Sequence, residues 1–274
     1  MSRKLGAADA FAIGQGVEEP VFLIARCDEA DGTLADALSA RGARVLRLPL
    51  FQYEPGPDIP RLQEWLPAAP EGAALAWTSR HGAVMLVERM LPRHVEELRR
   101  LRLFALGPES AAPVLAAGLA VEVPGDPLDA RRLAAHMIAR GDVRRVAVIH
   151  GDRALPDLRE GLREAGLEVE AFEVYRTRFA DPDVAEVRRA LEKGRLAAAA
   201  FMSPSGVEAL ERLLSPADLE RLHRGVVAVA RGGTTYRALR ERGYDRAVDP
   251  AAQGLSFGAC ALDVLDSLMR TRNA

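Results

Sequence analysis

FMSPSGVEALERLL (residues 201–214) reads as the end of an apolar run, a short hydroxyl-bearing turn and the start of an amphipathic helix. AWTSRHGAVMLVERM (76–90) has the same grammar, and its Ser79 lies 124 residues before Ser203. One Ser-bearing turn occurring twice points to an internal duplication, and two further kinds of block support it. VFLIARCDEADGTLADALSARGARVLRLPL (21–50) matches VAVIHGDRALPDLREGLREAGLEVEAFEV (146–174). LFALGPESAAPVLAAGLAVEVP (103–124) matches VAVARGGTTYRALRERGYDRAV (227–248). The register is shared: Val21 to Val146, Ser110 to Thr235 and Gly118 to Gly243 are each 125 residues apart.

Each half then holds five strand-like runs alternating with helices. They are expected near 21–26, 44–49, 73–78, 102–106 and 120–123, and near 145–149, 168–173, 196–202, 226–230 and 246–248. Runs such as AAAAFM and VVAVA are continuously apolar, as in strands covered by helices on both faces. The fold class that follows is α/β, with two doubly wound, flavodoxin-like parallel-sheet domains. Ligands of such sheets bind at the carboxyl ends of strands, beside helix N-termini. Two polar, Pro-bearing breaks, FQYEPGPDIP (51–60) and YRTRFADPD (175–183), fall at corresponding places in the halves and read as crossings between domains.

Composition narrows the function. A chain of 274 residues with 49% apolar content supports two domains with real cores. A net charge of -2 argues against a general nucleic-acid binder, so an anion site must come from locally placed Arg. The two cysteines, Cys27 and Cys260, lack metal-ligand or disulfide-motif spacing, which suits a reducing cytoplasm. No run approaches the ~18 apolar residues of a membrane span, and residues 1–19 read as a loose tail.

Four turns carry short hydroxyls at expected helix starts: TSRHG (Thr78, Ser79), GPES (Ser110), SPSG (Ser203, Ser205) and RGGTT (Gly233, Thr234, Thr235). Each hydroxyl is equally suited to helix capping, with Pro at the first helical position. Free N–H groups at helix starts also bind carboxylates or phosphates. Arg26, Arg80, Arg153, Arg176, Arg231 and Arg237 fall near the same strand ends, and Arg grips carboxylates in bidentate fashion. The dinucleotide, P-loop and nucleophile-elbow fingerprints are missing, and the histidines lack metal spacing. In HGDR (150–153), His150 or Asp152 is placed to point into a cleft. Tyr175, one of four tyrosines, sits at the second break; its phenol, protonated at neutral pH, is a candidate proton donor.

The ordered set TSRHGAV, LGPESA, HGD with VYRT, FMSPSGV and GGTTYRAL resembles the uroporphyrinogen-III synthase family from about Val21 to Leu265. The resemblance implies domains of 20–52 plus 178–270 and of 56–172, joined by extended linkers at 53–55 and 173–177, with the active site in the cleft between them. It implies cofactor-free, metal-free cyclisation of hydroxymethylbilane to uroporphyrinogen III, with inversion of the terminal ring. A monomer is expected, with its substrate handed over by the preceding deaminase. Tyr175 is implied to assist departure of the hydroxyl, with Ser79, Ser110, Ser203 and Thr235 at the cleft. Arg26, Thr78, Arg153, Ser205, Gly233 and Thr234 complete the expected binding set. The eight carboxylates of that substrate suit hydroxyl-and-amide turns with scattered Arg. The rival expectation is a bilobed binding or sensor protein for a small anion, which needs no proton donor. A two-lobed glycosyltransferase is disfavoured because each lobe is too small for a nucleotide site.

Overall fold

The computed structural model describes residues 19–25, 32–125 and 129–272. They divide into two compact units, one made of residues up to Gln52 and from Phe179 on, the other of Tyr53–Arg178. Ten strands are present: β1 (Val21–Ala25), β2 (Arg44–Arg47), β3 (Phe51–Pro55), β4 (Ala74–Trp77), β5 (Arg102–Ala105), β6 (Arg145–Gly151), β7 (Glu168–Phe179), β8 (Leu196–Phe201), β9 (Val227–Ala230) and β10 (Ala247–Val248).

The first unit carries a sheet ordered β10-β9-β8-β1-β2, with every pair parallel. Counted along the chain this is the flavodoxin-like order, and the strand order reverses at β1/β8. Alternate residues feed two cores. Leu23, Ala25, Ala199 and Phe201 face one; Phe22, Ile24, Ala198 and Ala200 face the other. Burial on both faces is why these strands read as unbroken apolar runs. Cys260 is buried in the second core, and burial, with Asp263 and Asp249 nearby, pushes its thiol up to about 11. Cys27 lies outside the described residues.

The second unit has the order β3-β7-β6-β4-β5, with β4, β5, β6 and β7 parallel. This is the same pattern with its outermost strand, β3, supplied from the front of the chain, and the order reverses at β4/β6. Leu75, Trp77, Ile149 and Phe172 pack on one face, and Ala74, Ala76, Val146 and Val148 on the other.

The repeat is not the folding unit. The first half of the chain gives β1–β2 to one sheet and β4–β5 to the other; the second half gives β6–β7 and β8–β9 in the opposite order. Each reversal point, β1/β8 or β4/β6, is therefore where one half meets the other. The chain crosses between units twice because each sheet takes one strand–helix–strand piece from each half.

Two expectations need correction. The stretches read as linkers, 53–55 and 173–177, are strand residues of the second unit, in β3 and β7. Pro55 misled because β3 is an edge strand, where a missing N–H costs nothing on the open side. The strand expected at 120–123 is only a single parallel bridge, Phe104 to Glu122. The N-terminal tail lies outside the described residues. Among the described residues no helix is long and apolar enough to cross a membrane.

Candidate functional site

The two Ser turns are built alike. Ser79 and Ser203 are N-caps in extended conformation, and each hydroxyl accepts from the amide three residues on, Gly82 at 3.0 Å and Gly206 at 3.1 Å. Glycine suits that third position, because an added Cβ would press within 3.3–3.4 Å of the capping oxygen. Both caps follow parallel strands directly, at the carboxyl ends of β4 and β8.

In the second unit the cap acquires a partner. The Tyr175 hydroxyl on β7 donates to Ser79 Oγ after β4 at 3.0 Å, across the intervening β6, from 96 residues away. A β-bulge makes this possible. His150 stands opposite Glu173, but the next β6 residue, Gly151, stands opposite Tyr175, so β7 holds an extra residue there. Strict alternation would send Tyr175 away from the face that buries Phe172 and Val174. The bulge returns it to that face, where Trp77 and Ser79 also point.

Gly151 completes the passage. A Cβ there would lie 2.7 Å from the Tyr175 phenol oxygen, closer still to the ring. Since the obstacle is a half-buried ring packed against Tyr53 and His81, Gly151→Ala is expected both to push the phenol off Ser79 and to cost about 1–3 kcal/mol of stability. We predict a turnover of the folded protein on the order of 10-fold lower. Unchanged turnover would mean that the Tyr175–Ser79 bond is dispensable.

The ring is braced on its other side. Tyr53 from β3 stacks on His81 with centroids 3.5 Å apart, and Tyr175 meets Tyr53 edge-on at 5.9 Å and His81 at 5.8 Å. Burial lifts the Tyr175 phenol above its ordinary range, nearby Asp152 adds to this, and the Ser79 hydrogen bond opposes it. The phenol therefore stays protonated throughout the neutral range. Asp152 closes the turn: its amide donates to the Tyr175 carbonyl at 3.1 Å, and its carboxylate accepts from Thr177 N at 3.0 Å. Sequence reasoning picked out Tyr175 and Ser79 but not Tyr53 or the need for Gly151; the scarcity of tyrosines was the only available signal for Tyr53.

The remaining expected residues separate into groups. Thr78 follows β4 directly and is half-buried, and Arg153 is exposed in the turn after β6. Ser203 and Ser205 lie 3.0 Å apart through their hydroxyls. Gly233 and Thr234 are exposed in the first turn of the helix Gly233–Glu241. Ser110 departs from the expectation of a binding hydroxyl. It is buried, accepts from Gly107 N at 3.0 Å and donates to Gly107 O at 2.9 Å, so its hydroxyl is committed to shaping its own turn. Thr235, its counterpart in the repeat, is likewise buried. Arg176 pairs with Glu173 at 2.5 Å. Arg26 lies outside the described residues. Among the described residues no group of three or more His, Cys, Asp or Glu could hold a metal ion.

Comparison with known proteins identifies the family. The family model of uroporphyrinogen-III synthase HemD matches residues 32–255. The chain is 23% identical over 232 residues to the porphyrin biosynthesis protein HemD of Ruminiclostridium josui, covering 82% of this chain and 45% of that protein. It thus spans less than half the length of that curated relative. Two solved structures share the fold. One is a mutant uroporphyrinogen III synthase from Thermus thermophilus, at 22% identity and a TM-score of 0.53, covering 93% of this chain and 99% of that one. The other is the uroporphyrinogen-III synthetase of Helicobacter pylori, at 16% identity and a TM-score of 0.60, covering 91% and 99%. With the family model matched over most of its length, the chain belongs to the uroporphyrinogen-III synthase family.

Proposed function

We propose that this chain cyclises hydroxymethylbilane to uroporphyrinogen III and water, inverting the terminal ring. The observation that carries the reading is the Tyr175–Ser79 hydrogen bond at the carboxyl edge of β4, in a member of this family. A binding or sensor protein needs no proton donor at this place, whereas the cyclisation does.

The first chemical step is loss of the terminal hydroxyl. Ser79 Oγ accepts from both Tyr175 and Gly82, so its own hydrogen remains to be donated. Ser79 passes that proton to the leaving oxygen and takes the proton of Tyr175 in return, releasing water and leaving a phenolate. The pyrrole nitrogen supplies the electron pair that expels the oxygen, giving an azafulvenium. Its methylene is attacked by the substituted carbon of the last ring to form a spiro centre. Fragmentation and re-closure at the free carbon displace a proton, which restores the phenol by the same route. Much of the rate comes from holding a flexible chain in one fold.

Carboxylates of the substrate are met by the exposed turns. Thr78 and Ser79 serve in the second unit; Ser203, Ser205, Gly233 and Thr234 serve in the first, through hydroxyls and helix-start amides. Arg26 and Arg153 add charge. Ser110 and Thr235 hold their turns in shape. The enzyme works as a cytoplasmic monomer without a cofactor and receives its substrate from the deaminase that makes it.

The test supplies enzymatically generated hydroxymethylbilane and resolves the I and III isomers by chromatography. Isomer III is expected in excess; isomer I alone, as forms spontaneously, would end the proposal.

A further inference from the structure

Thr78 and Ser79 are consecutive and leave the strand end on opposite faces. Ser79 shares its face with Trp77 and Tyr175. Thr78 shares the other with Ala76 and, on β6, with Val148 and His150. On that second face, beside the β4/β6 reversal point, is a cavity of about 270 Å³ whose walls include Thr78, Leu106, Val148, His150, Leu158 and Arg159. It lies wholly within the second unit, and the reaction step above makes no use of it.

Its walls are chemically divided. Leu106, Val148 and Leu158 give flat apolar surface. His150 Nδ1 lies 2.9 Å from the Gly151 carbonyl oxygen, which can only accept, so Nδ1 carries the hydrogen. In the neutral ring, Nε2 then presents a lone pair. Arg159 brings a permanent cation with several donors, and Thr78 a hydroxyl. Asp157, also on the wall, is ion-paired with Arg131 at 3.6 Å. Leu155 at the margin is 80% exposed, a large apolar side chain that a bound molecule would cover. The volume falls just below the roughly 300–1,000 Å³ of pockets that enclose whole drug-sized ligands, which suits one ring rather than an entire tetrapyrrole.

Apolar walls, one hydrogen-bond acceptor and one fixed cation together match a flat ring bearing an N–H and a carboxylate. We propose that this cavity is a subsite for a single carboxylate-bearing pyrrole, with its N–H directed to His150 Nε2 and its carboxylate to Arg159 and Thr78. The identity of the occupant rests on the synthase reading, since that reaction supplies such rings. Docking one ring here, across the strand end from Ser79, would limit which part of the chain can reach the proton donor.

The test titrates porphobilinogen, a pyrrole with one acetate and one propionate arm, into the full chain and follows NMR shifts. Saturable shifts at Thr78, His150 and Arg159 are expected, with a Kd of roughly millimolar or tighter. Arg159→Gln and His150→Phe should each weaken binding by at least ~10-fold, and should raise KM for hydroxymethylbilane more than they lower kcat. Absence of saturable shifts, or shifts undiminished in both variants, overturns the subsite. Isomer III formed without porphobilinogen binding removes the subsite and leaves the synthase; binding without isomer III does the reverse.

Discussion

Replacing Tyr175 by Phe should lower kcat by at least ~10-fold, the low end of general acid effects, with KM nearly unchanged. The ring would keep its contacts with Tyr53 and His81, so packing is preserved and only the proton is lost. The Ser79 hydroxyl would still cap its helix through Gly82 but would have nothing to draw a proton from. The pH behaviour follows from the direction of the shift. Burial, with Asp152, holds the phenol above its ordinary range, so the acid form is already full at neutral pH. Wild type and variant should therefore run parallel across about pH 6–9, separating only in height. Ser79→Ala should lose as much as Tyr175→Phe if the two hydroxyls pass one proton along, and much less if Ser79 merely steadies the phenol. Wild-type turnover in a folded Tyr175→Phe protein would remove Tyr175 from this role.

The second large effect concerns stability. Gly56 follows β3, and its amide donates to the Val174 carbonyl at 2.8 Å. A Cβ at this position would fall onto the Glu173 carbonyl, 2.6 Å from its carbon and 2.7 Å from Tyr175 N. These are backbone atoms of a strand hydrogen-bonded to β6, so they cannot yield as a side-chain tip would. Asp58 binds the same place, its carboxylate accepting from Glu173 N at 2.8 Å. Gly56→Ala should cost about 3 kcal/mol or more, at the upper end of overpacking, and lower the melting temperature by roughly 10 °C. Because β3 also carries Tyr53, turnover of the surviving folded fraction should fall. A melting curve matching wild type would show that the residues after β3 can move off β7.

The strands were readable from sequence wherever burial on both faces makes the chain continuously apolar, as in β4 and β8. They were misread where that rule lapses. β3 alternates polar residues and ends in Pro55 because its outer edge is open; 120–123 is apolar enough for a strand but makes one bridge only. The caps at Ser79 and Ser203 were visible as Ser-x-x-Gly after an apolar run. The aim of Tyr175 was not, since it depends on one extra residue in β7 that no local pattern marks. Ser110 looked like its neighbours in the text, and only burial separates a hydroxyl shaping a turn from one presented to a ligand.

The exchange of pieces between halves also constrains the birth of the molecule. All strands of the Tyr53–Arg178 unit have been synthesised before β8 is made. β1, by contrast, finds its central neighbour only at β8, synthesised 175 residues later, Val21 pairing with Leu196. Until then β1 and β2 offer an apolar, unpaired edge to any other nascent chain. Such distant pairing is slow to form. Truncated or stalled products ending before Leu196 should therefore be the aggregation-prone species, whereas the finished chain closes that edge itself.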